Sequence, residues 1–310
     1  MKPLRGLLIA AGVLISAGLI GLIGRDIDGA QLSRVLTVAD GRWIALGTLV
    51  IISTMLTRIK RWAALLQPIK PRGPTLLRAL LVGQVLNFVL PLRLGDVARS
   101  VMAVRVPGLS VERALGSIAL EKAWDWLTLA ALSLIAAFTI SVPMWYSIAL
   151  RSIGLIAALV LIVFGVIAAA PVERWQPRVE RWLNRLPLAD RVRRLLTSFT
   201  ALRNRSAFGR CAVWSIATWG LGVVANYAVM RAYGVDAWHG ALLLMVALMI
   251  GITLPPSIAA LGVFEGVTIS ALGAVNVPLE TALAIGLTLH VVIFAPAIVG
   301  AGVLIVLNRR

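Results

Sequence analysis

Long apolar runs recur along the whole chain, and they limit its possible folds more than any other feature. About 20 apolar residues cross a hydrocarbon core of roughly 30 Å, and the backbone must be helical there because no water satisfies its polar groups. Hydrophobic residues form 60% of the chain and charged residues 14%, which leaves little for a soluble domain. We therefore predict an all-α, polytopic membrane protein with a single transmembrane domain over residues 1–310. The predicted spans are 6–23, 43–57, 115–141, 147–169, 211–230 and 281–307.

Two further apolar stretches, 76–105 and 241–276, are interrupted by proline and glycine near their middle. Proline ends a helix by removing a backbone donor, and glycine permits a tight return of the chain. We predict that each stretch turns back as a re-entrant hairpin. The alternative is an ordinary pair of short helices joined by a turn. The predicted hinges are Pro91 and Gly95 in the first stretch and Pro255, Pro256 and Gly262 in the second.

Basic residues indicate which connections face the cytoplasm. The stretch 58–78 holds six Lys and Arg residues and no acid, and 171–210 is also rich in arginine, so both are placed inside. The stretch 24–42 balances its charges and 141–147 carries none, so both are placed outside. Both termini then face the cytoplasm, and the expected location is the bacterial cytoplasmic (inner) membrane.

With the connections assigned to these sides, the two interrupted stretches enter the membrane from opposite faces. The first enters from the cytoplasm and the second from outside. The order span, hairpin, span therefore occurs twice with opposite orientation, over 43–141 and 211–307. In transporters such inverted repeats bring broken helices together near the bilayer midplane, where substrates bind. We predict an inverted repeat of this kind.

The basic connection 171–210 is predicted to contain an amphipathic helix. Its apolar and aromatic residues fall on one helical face and its arginines on another, a pattern typical of helices that lie in the membrane interface and contact anionic headgroups. A passive anchor and a surface that gathers substrate both fit this pattern. The apolar face consists of Trp175, Val179, Trp182, Leu183 and Leu186, and the basic face of Arg174, Arg178, Arg181 and Arg185.

The Lys and Arg residues that give the chain its net charge of +17 lie in stretches between the apolar runs. We therefore attribute this charge to membrane topology and expect no nucleic-acid partner. The sequence contains no glycine-rich phosphate loop with Lys-Ser/Thr and no Gly-x-Ser-x-Gly motif. His239, His290 and Cys211 give few ligands for a metal site. We therefore expect no catalytic activity, no cofactor and no metal.

Ionisable side chains at membrane depth are energetically costly, so each is a candidate functional residue. The first hairpin holds Asn87, Arg93, Asp96 and Arg99, with Gln84 before them. If the returning segment is helical, Asp96 and Arg99 share a face and are expected to pair. Arginine binds phosphate through two parallel hydrogen bonds, so Arg93 and Arg99 are predicted substrate ligands together with Asn87 and Asp96. An internal brace between Asp96 and Arg99 is the alternative.

The span that follows carries Glu121, Lys122 and Asp125 in its first two turns. Glu121 and Asp125 share a helical face and repel each other unless a cation lies between them. We predict that Arg99 or Arg93 provides this cation, and that both carboxylates belong to the substrate site. Simple solvation near the interface is the alternative.

The second hairpin contains Ser257 and Glu265, both predicted to contact substrate, and the last span contains His290. Histidine titrates near neutrality, so a carboxylate beside it can carry a proton. Glu265 and His290 are therefore predicted to gate transport or couple it to protons. A packing role for His290 is the alternative.

Three motifs carry most of these residues, and in their order and spacing they resemble a known family. They are Asn87-x3-Pro91-x-Arg93-x-Gly95-Asp96-x2-Arg99, Glu121-Lys122-x2-Asp125 and Pro256-Ser257-x4-Gly262-x2-Glu265. The chain resembles, over nearly its whole length, the flippase-like family typified by the membrane domain of lysylphosphatidylglycerol synthase. The chain departs from the family at Asp96, where Glu is common, at Lys122, where Arg is usual, and at Ala259-Ala260, where glycines are expected.

The resemblance implies a role in moving lipids, and in the namesake the lipid is an aminoacylated phospholipid. The sequence shows no aminoacyl-transferring domain, so we expect this chain to move such a lipid and not to make it. We predict a lipid translocator in which Arg93 and Arg99 receive an anionic or modified headgroup. The alternatives are a non-catalytic scaffold of a lipid- or glycolipid-modifying enzyme, and a proton-coupled transporter of small solutes. The expected partners are membrane lipids, above all anionic ones, and a separate lipid-modifying enzyme.

Overall fold

A computed structural model describes residues 2–89, 94–139, 144–169, 190–191, 194, 204–251 and 260–307. Helices are the only regular secondary structure in these ranges, so the all-α prediction is confirmed. Several helices are compatible with membrane spans, which confirms the polytopic membrane class. Among the described residues, four helical segments are long and apolar enough to cross a bilayer. They are Gly41–Leu65, Tyr146–Phe164, Arg205–Ala232 and Leu279–Leu304.

The helices of the described ranges are numbered here in chain order. They are α1 (Lys2–Arg25), α2 (Gly29–Thr37), α3 (Gly41–Leu65), α4 (Gly73–Val89), α5 (Leu94–Ala103), α6 (Val111–Thr139), α7 (Met144–Ala169), α8 (Arg205–Ala232), α9 (Trp238–Gly251), α10 (Val263–Gly273) and α11 (Leu279–Leu307). Each of the six predicted spans falls on one long helix. Each interrupted stretch falls on a pair of short helices, α4 with α5 and α9 with α10.

Some predicted features lie outside the described residues. The positions concerned are the hinges Pro91, Pro255 and Pro256, the candidate ligands Arg93 and Ser257, and most of the basic connection 171–210, including its predicted amphipathic helix.

The second span is longer than its apolar run. The run 43–57 is short for a crossing, whereas α3 continues to Leu65 and includes Arg58 and Arg61. These two arginines were assigned to a cytoplasmic connection from the sequence. The helix can continue through them because Arg61 is buried against carboxylates of α6, which compensates its charge inside the protein.

The connection 24–42 contains a short helix that the sequence analysis did not predict. Asp28 caps α2, since its Oδ1 accepts hydrogen bonds from the backbone N–H groups of Ala30 at 2.9 Å and Gln31 at 3.2 Å. Such a cap satisfies donors that have no partner within the helix. A helix therefore follows α1 directly, and it packs against α11.

The paired helices are too short to cross the bilayer singly. At a rise of about 1.5 Å per residue, α4 is about 25 Å long, α9 about 21 Å, α10 about 16 Å and α5 about 15 Å. A hydrocarbon core is roughly 30 Å thick. The two interrupted stretches are therefore built from helices of less than membrane length.

The centre of the molecule is the contact between α3 and α8. Gly47 of α3 faces Ala225, Ala228 and Val229 of α8, and a Cβ atom at Gly47 would lie 3.0 Å from Val229 Cγ2. Around this pair, α4 packs on α11 and α9 packs on α6. The largest cluster of buried apolar side chains runs through α6, α8, α9, α10 and α11. Two short helices, α4 and α9, are thus held against long helices from the other half of the chain.

Candidate functional site

A buried network of charged side chains joins α3, α5 and α6. Arg61 donates hydrogen bonds to Glu121 Oε1 at 3.0 Å and to Asp125 Oδ1 at 2.7 Å. Arg99 donates to the same carboxylate, from Nη2 to Glu121 Oε2 at 2.8 Å. Arg61 and Arg99 are each 2% exposed and Glu121 is 1% exposed. We call these four residues the charge cluster.

Aromatic residues hold the charge cluster in place. The guanidinium carbon of Arg99 lies 3.7 Å from the ring centroid of Trp62, a cation-π contact. Trp62 Nε1 donates a hydrogen bond to Ser117 Oγ at 2.9 Å, which orients the ring. Trp219 of α8 donates from Nε1 to Asp125 Oδ1 at 3.1 Å. Four helices therefore contribute to one network, and none of them can shift without breaking a contact to a buried charge.

The first short-helix pair packs closely enough to bring Arg99 to this network. A Cβ atom on Gly95 would lie 2.0 Å from Gly83 O and 2.5 Å from Asn87 Oδ1, so only glycine fits there. Across the same contact, Asn87 Nδ2 donates to Asp96 Oδ1 at 3.2 Å. The predicted hinge glycine thus acts as a close contact between α4 and α5.

Two predicted pairings differ in the structure. Asp96 was expected to pair with Arg99, but it accepts a hydrogen bond from Asn87, and both terminal nitrogens of Arg99 bond to Glu121. The cation between Glu121 and Asp125 was expected to be Arg99 or Arg93, but of the residues that the structure describes, which exclude Arg93, Arg61 bonds to both. Arg61 of α3 reaches both carboxylates, whereas the terminal nitrogens of Arg99 bond to Glu121. Arg99 therefore braces Glu121.

The sequence analysis missed Arg61 because it lies beyond the apolar run. A usable signal was present: Thr54, Thr57, Arg58 and Arg61 recur at three- and four-residue intervals after an apolar run. Such spacing places polar groups on one helical face. Thr54, Thr57 and Arg61 are indeed buried on α3. A polar stripe continuing into a basic stretch was therefore the indication that the helix extends.

A second polar site lies in the other half of the chain, where α10 meets α11. Glu265 Oε1 and His290 Nδ1 are 2.8 Å apart, and the backbone N–H of Gly262 donates to Glu265 Oε2 at 2.7 Å. Gly262 has a φ angle of 80°, which favours glycine. Glu265 is 5% exposed. The two residues predicted to act together are thus in direct contact at the start of α10.

Aromatic rings connect this second site to the first short-helix pair. Phe88, near the end of α4, stacks on Phe294 of α11 with ring centroids 4.0 Å apart. The ring of His290 lies 4.3 Å from that of Phe294 and 5.0 Å from that of Phe264. The ring of Phe294 therefore lies between His290 and Phe88 of α4 and contacts both.

The comparison with known families decides the identity of the chain. The family described as lysylphosphatidylglycerol synthase TM region matches residues 9–300. The chain belongs to this family. The matched range contains the charge cluster and the Glu265–His290 pair, so both sites lie within the TM region of the family, and the predicted resemblance is confirmed.

One relative of this chain is the protein named Glycosyltransferase AglD, from Haloferax volcanii. The two are 24% identical over 266 residues, which cover 75% of this chain and 42% of the relative. The chain thus spans less than half the length of that relative. No solved structure matches the chain.

Proposed function

We propose that this protein is a flippase-like translocator that moves an anionic or headgroup-modified lipid across the membrane. The observation that carries the proposal is the charge cluster, because Arg61, Arg99 and Glu121 are all but fully buried in a helical membrane protein. Ionised groups inside a membrane are energetically costly and mark substrate pathways. A polar centre of this kind allows a charged headgroup to pass while the acyl chains remain in the hydrocarbon.

The packing of the two halves supports an inverted repeat. In an inverted repeat, the helices α3 to α6 would correspond in order to α8 to α11. The contact between α3 and α8 then corresponds to itself, and the contact between α4 and α11 corresponds to that between α9 and α6. The two short-helix pairs also correspond. In our proposal they approach the midplane from opposite faces, α4 and α5 from the cytoplasm and α9 and α10 from outside, with both termini in the cytoplasm of a bacterial inner membrane.

The Glu265–His290 pair would couple or gate this movement. In the proposed inverted arrangement, α10 and α11, which carry this pair, correspond to α5 and α6, which carry Arg99 and Glu121 of the charge cluster. The ring of Phe294 contacts both His290 and Phe88, which connects the pair to α4 of the first half. A proton on His290 would strengthen its attraction to Glu265 and hold α10 against α11.

Reconstitution tests the proposal directly. Purified protein is placed in vesicles with fluorescent phosphatidylglycerol, and the loss of fluorescence on adding an external reductant reports the fraction of lipid that changes leaflet. We expect wild-type vesicles to exceed empty vesicles, and Glu265→Gln to slow the exchange by roughly tenfold. The matched control is Glu280→Gln at the start of α11. Equal rates in protein-containing and empty vesicles, across several anionic lipids, would refute the proposal.

A second candidate function is a membrane partner or scaffold of a lipid- or glycan-modifying enzyme. The match to a protein named as a glycosyltransferase favours it, since that protein combines a similar region with additional sequence. This candidate predicts that a glycosyltransferase or lipid-modifying enzyme copurifies with the chain. It also predicts that variants of the charge cluster which remain folded keep the cellular phenotype.

A further inference from the structure

Arg58 of α3 is a cation that the charge cluster does not neutralise. Its Nη1 donates a 2.6 Å hydrogen bond to Gln84 Oε1, a neutral amide of α4. Among the described residues no carboxylate lies within ion-pair distance of Arg58, whereas Arg61 and Arg99 both have carboxylate partners. Arg58 is partly exposed, whereas Arg61 and Arg99 are buried. It differs in both respects from Arg99, one of the two arginines that the sequence analysis predicted as ligands.

The charges around Arg58 do not balance. Within electrostatic range of one another lie three arginines, Arg58, Arg61 and Arg99, and two carboxylates, Glu121 and Asp125. Lys122 also pairs with Asp125, with Nζ 3.6 Å from Oδ2, so the described part of this network carries an excess of two positive charges. An uncompensated charge away from bulk water is costly, and the cost falls when an anion joins the network. The balance thus favours a ligand with negative charge.

The hydrogen-bond donors show the same excess. Arg61 Nε and Arg99 Nε are buried and have no acceptor among the described residues. Buried donors in proteins nearly always have an acceptor. Gln84 turns its oxygen towards Arg58, because a guanidinium can only donate, so the amide NH2 of Gln84 points elsewhere as a further donor. A ligand that fits this site is therefore both anionic and rich in acceptor oxygens.

The position of Arg58 along α3 indicates where such a ligand would be bound. With α3 centred on the bilayer, Arg58 lies roughly 7 Å from the midplane, whereas the hydrocarbon core extends to about 15 Å. An anion bound there has already left the headgroup layer. The neighbouring Lys60 is exposed on the same helix.

We infer that Arg58 and Gln84 form the anion-binding subsite of this protein, and that its ligand is a phosphate-bearing group. Phosphate combines negative charge with several acceptor oxygens, and the planar guanidinium contacts two of them at once. Arg61 and Arg99 lie within electrostatic range of Arg58 and add positive charge beside the subsite. This inference rests on the proposed function, since it names the group that the translocator would first hold.

Binding to the purified full-length protein in detergent tests the subsite. The probes are dioctanoyl-phosphatidylglycerol, inorganic phosphate, and dioctanoylglycerol, which lacks the phosphate. We expect Arg58→Gln to weaken binding of dioctanoyl-phosphatidylglycerol by roughly tenfold or more, since a hydrogen bond to a charged group is lost. Arg58→Lys should weaken it less, because the charge remains. Lys60→Gln is the matched control and should stay within twofold of wild type.

The other two probes identify the source of the phosphate. Tighter binding of dioctanoyl-phosphatidylglycerol than of inorganic phosphate, with competition between them, would indicate a lipid headgroup. Equal binding of the two would indicate a site for free phosphate. Dioctanoylglycerol should bind wild type and Arg58→Gln equally.

Three results would overturn the inference: no binding of either phosphate probe to wild type, unchanged binding in Arg58→Gln, or an equal loss in Lys60→Gln. If Arg58→Gln fails to fold, Gln84→Leu tests the same subsite and should weaken binding at least threefold, and unchanged binding there also overturns the inference. Vesicle transport separates this result from the proposed function. Binding that depends on Arg58 without transport would refute translocation alone, and transport with unchanged binding in Arg58→Gln would refute the subsite alone.

Discussion

Glu121 is the residue on which the charge cluster depends, because it accepts hydrogen bonds from arginines of two different helices. One of its oxygens bonds to Arg61 and the other to Arg99. Removal of one partner from a buried ion pair leaves a charge without compensation, and the cost is larger than the strength of the pair itself. At the scale of single residues, the cluster is therefore most sensitive at its shared carboxylate.

Replacement of this shared carboxylate should destabilise the protein. We predict that Glu121→Gln lowers the free energy of unfolding by about 3 kcal/mol, because two buried guanidiniums then lack a full counter-charge. Thermal unfolding followed by size-exclusion chromatography in detergent measures the effect. Glu112→Gln, on the same helix but in an exposed pair, should change the stability far less, because solvent screens that pair. Equal stability of Glu121→Gln and wild type would contradict the pairing.

The ion pair of Glu112 links α6 to the basic connection. Arg194 Nε lies 3.3 Å from Glu112 Oε2, and its hydrogen bonds lower the pKa of Glu112 to about 2 from the usual 4.5. Because the pKa is lower in the folded protein, the pair stabilises the fold above about pH 4.5 and this contribution is lost as the pH falls towards 2.

A carboxyl NMR titration checks this value. In protein labelled at glutamate, the Glu112 signal, assigned by its loss in Glu112→Gln, should titrate near pH 2. In Arg194→Gln we expect its midpoint to rise towards 4.5, since the donor is gone. A wild-type midpoint already near 4.5 would show that the pair does not form in solution.

At the scale of helices, the contact between α4 and α5 determines whether Arg99 reaches Glu121. Gly95 lies so close to Gly83 and Asn87 that no side chain fits between the backbones. The hinge prediction identified this glycine but gave it a different reason, a tight turn. The physical reason in the structure is a close helix contact, which cannot be recognised without knowing that α5 packs against α4.

A methyl group at this contact should separate the two helices. We predict that Gly95→Ala destabilises the protein by at least about 2 kcal/mol, as overpacking of a tight contact does, and that it weakens transport by moving Arg99. Gly220→Ala in α8 is the control, because a Cβ there meets nothing within 4 Å. The same unfolding assay and the vesicle assay report the two effects. A Gly95→Ala protein as stable as Gly220→Ala would exclude the close contact.

At the scale of the whole molecule, the two short-helix pairs connect the two halves of the chain. Each pair packs against long helices of the opposite half, so α4 contacts α11 and α9 contacts α6. In the proposed topology the connections around one pair face the cytoplasm and those around the other face outside. The arrangement can be tested because both sets of connections offer exposed positions.

Labelling of single cysteines from each side of the membrane tests this topology. In a Cys211→Ala background, Lys70→Cys and Arg105→Cys flank the first pair, and His239→Cys and Gly273→Cys flank the second. We expect a membrane-impermeant maleimide added outside intact cells to label only the second set. Labelling of one member of each set would show that a short-helix pair crosses the membrane completely.

The sequence by itself determined the membrane class, the helical content and the positions of the two interruptions. These properties follow from local chemistry: run length, the backbone's need for hydrogen bonds, and the effects of proline and glycine. It also identified Glu121, Arg99, Glu265 and His290 as costly charges. Only the tertiary structure decided that Arg61 bonds to both carboxylates. Glu121 and Asp125 follow Arg61 in the sequence by 60 and 64 positions and lie on a different helix. Ion pairing depends on distances between packed helices, and no local pattern encodes those distances.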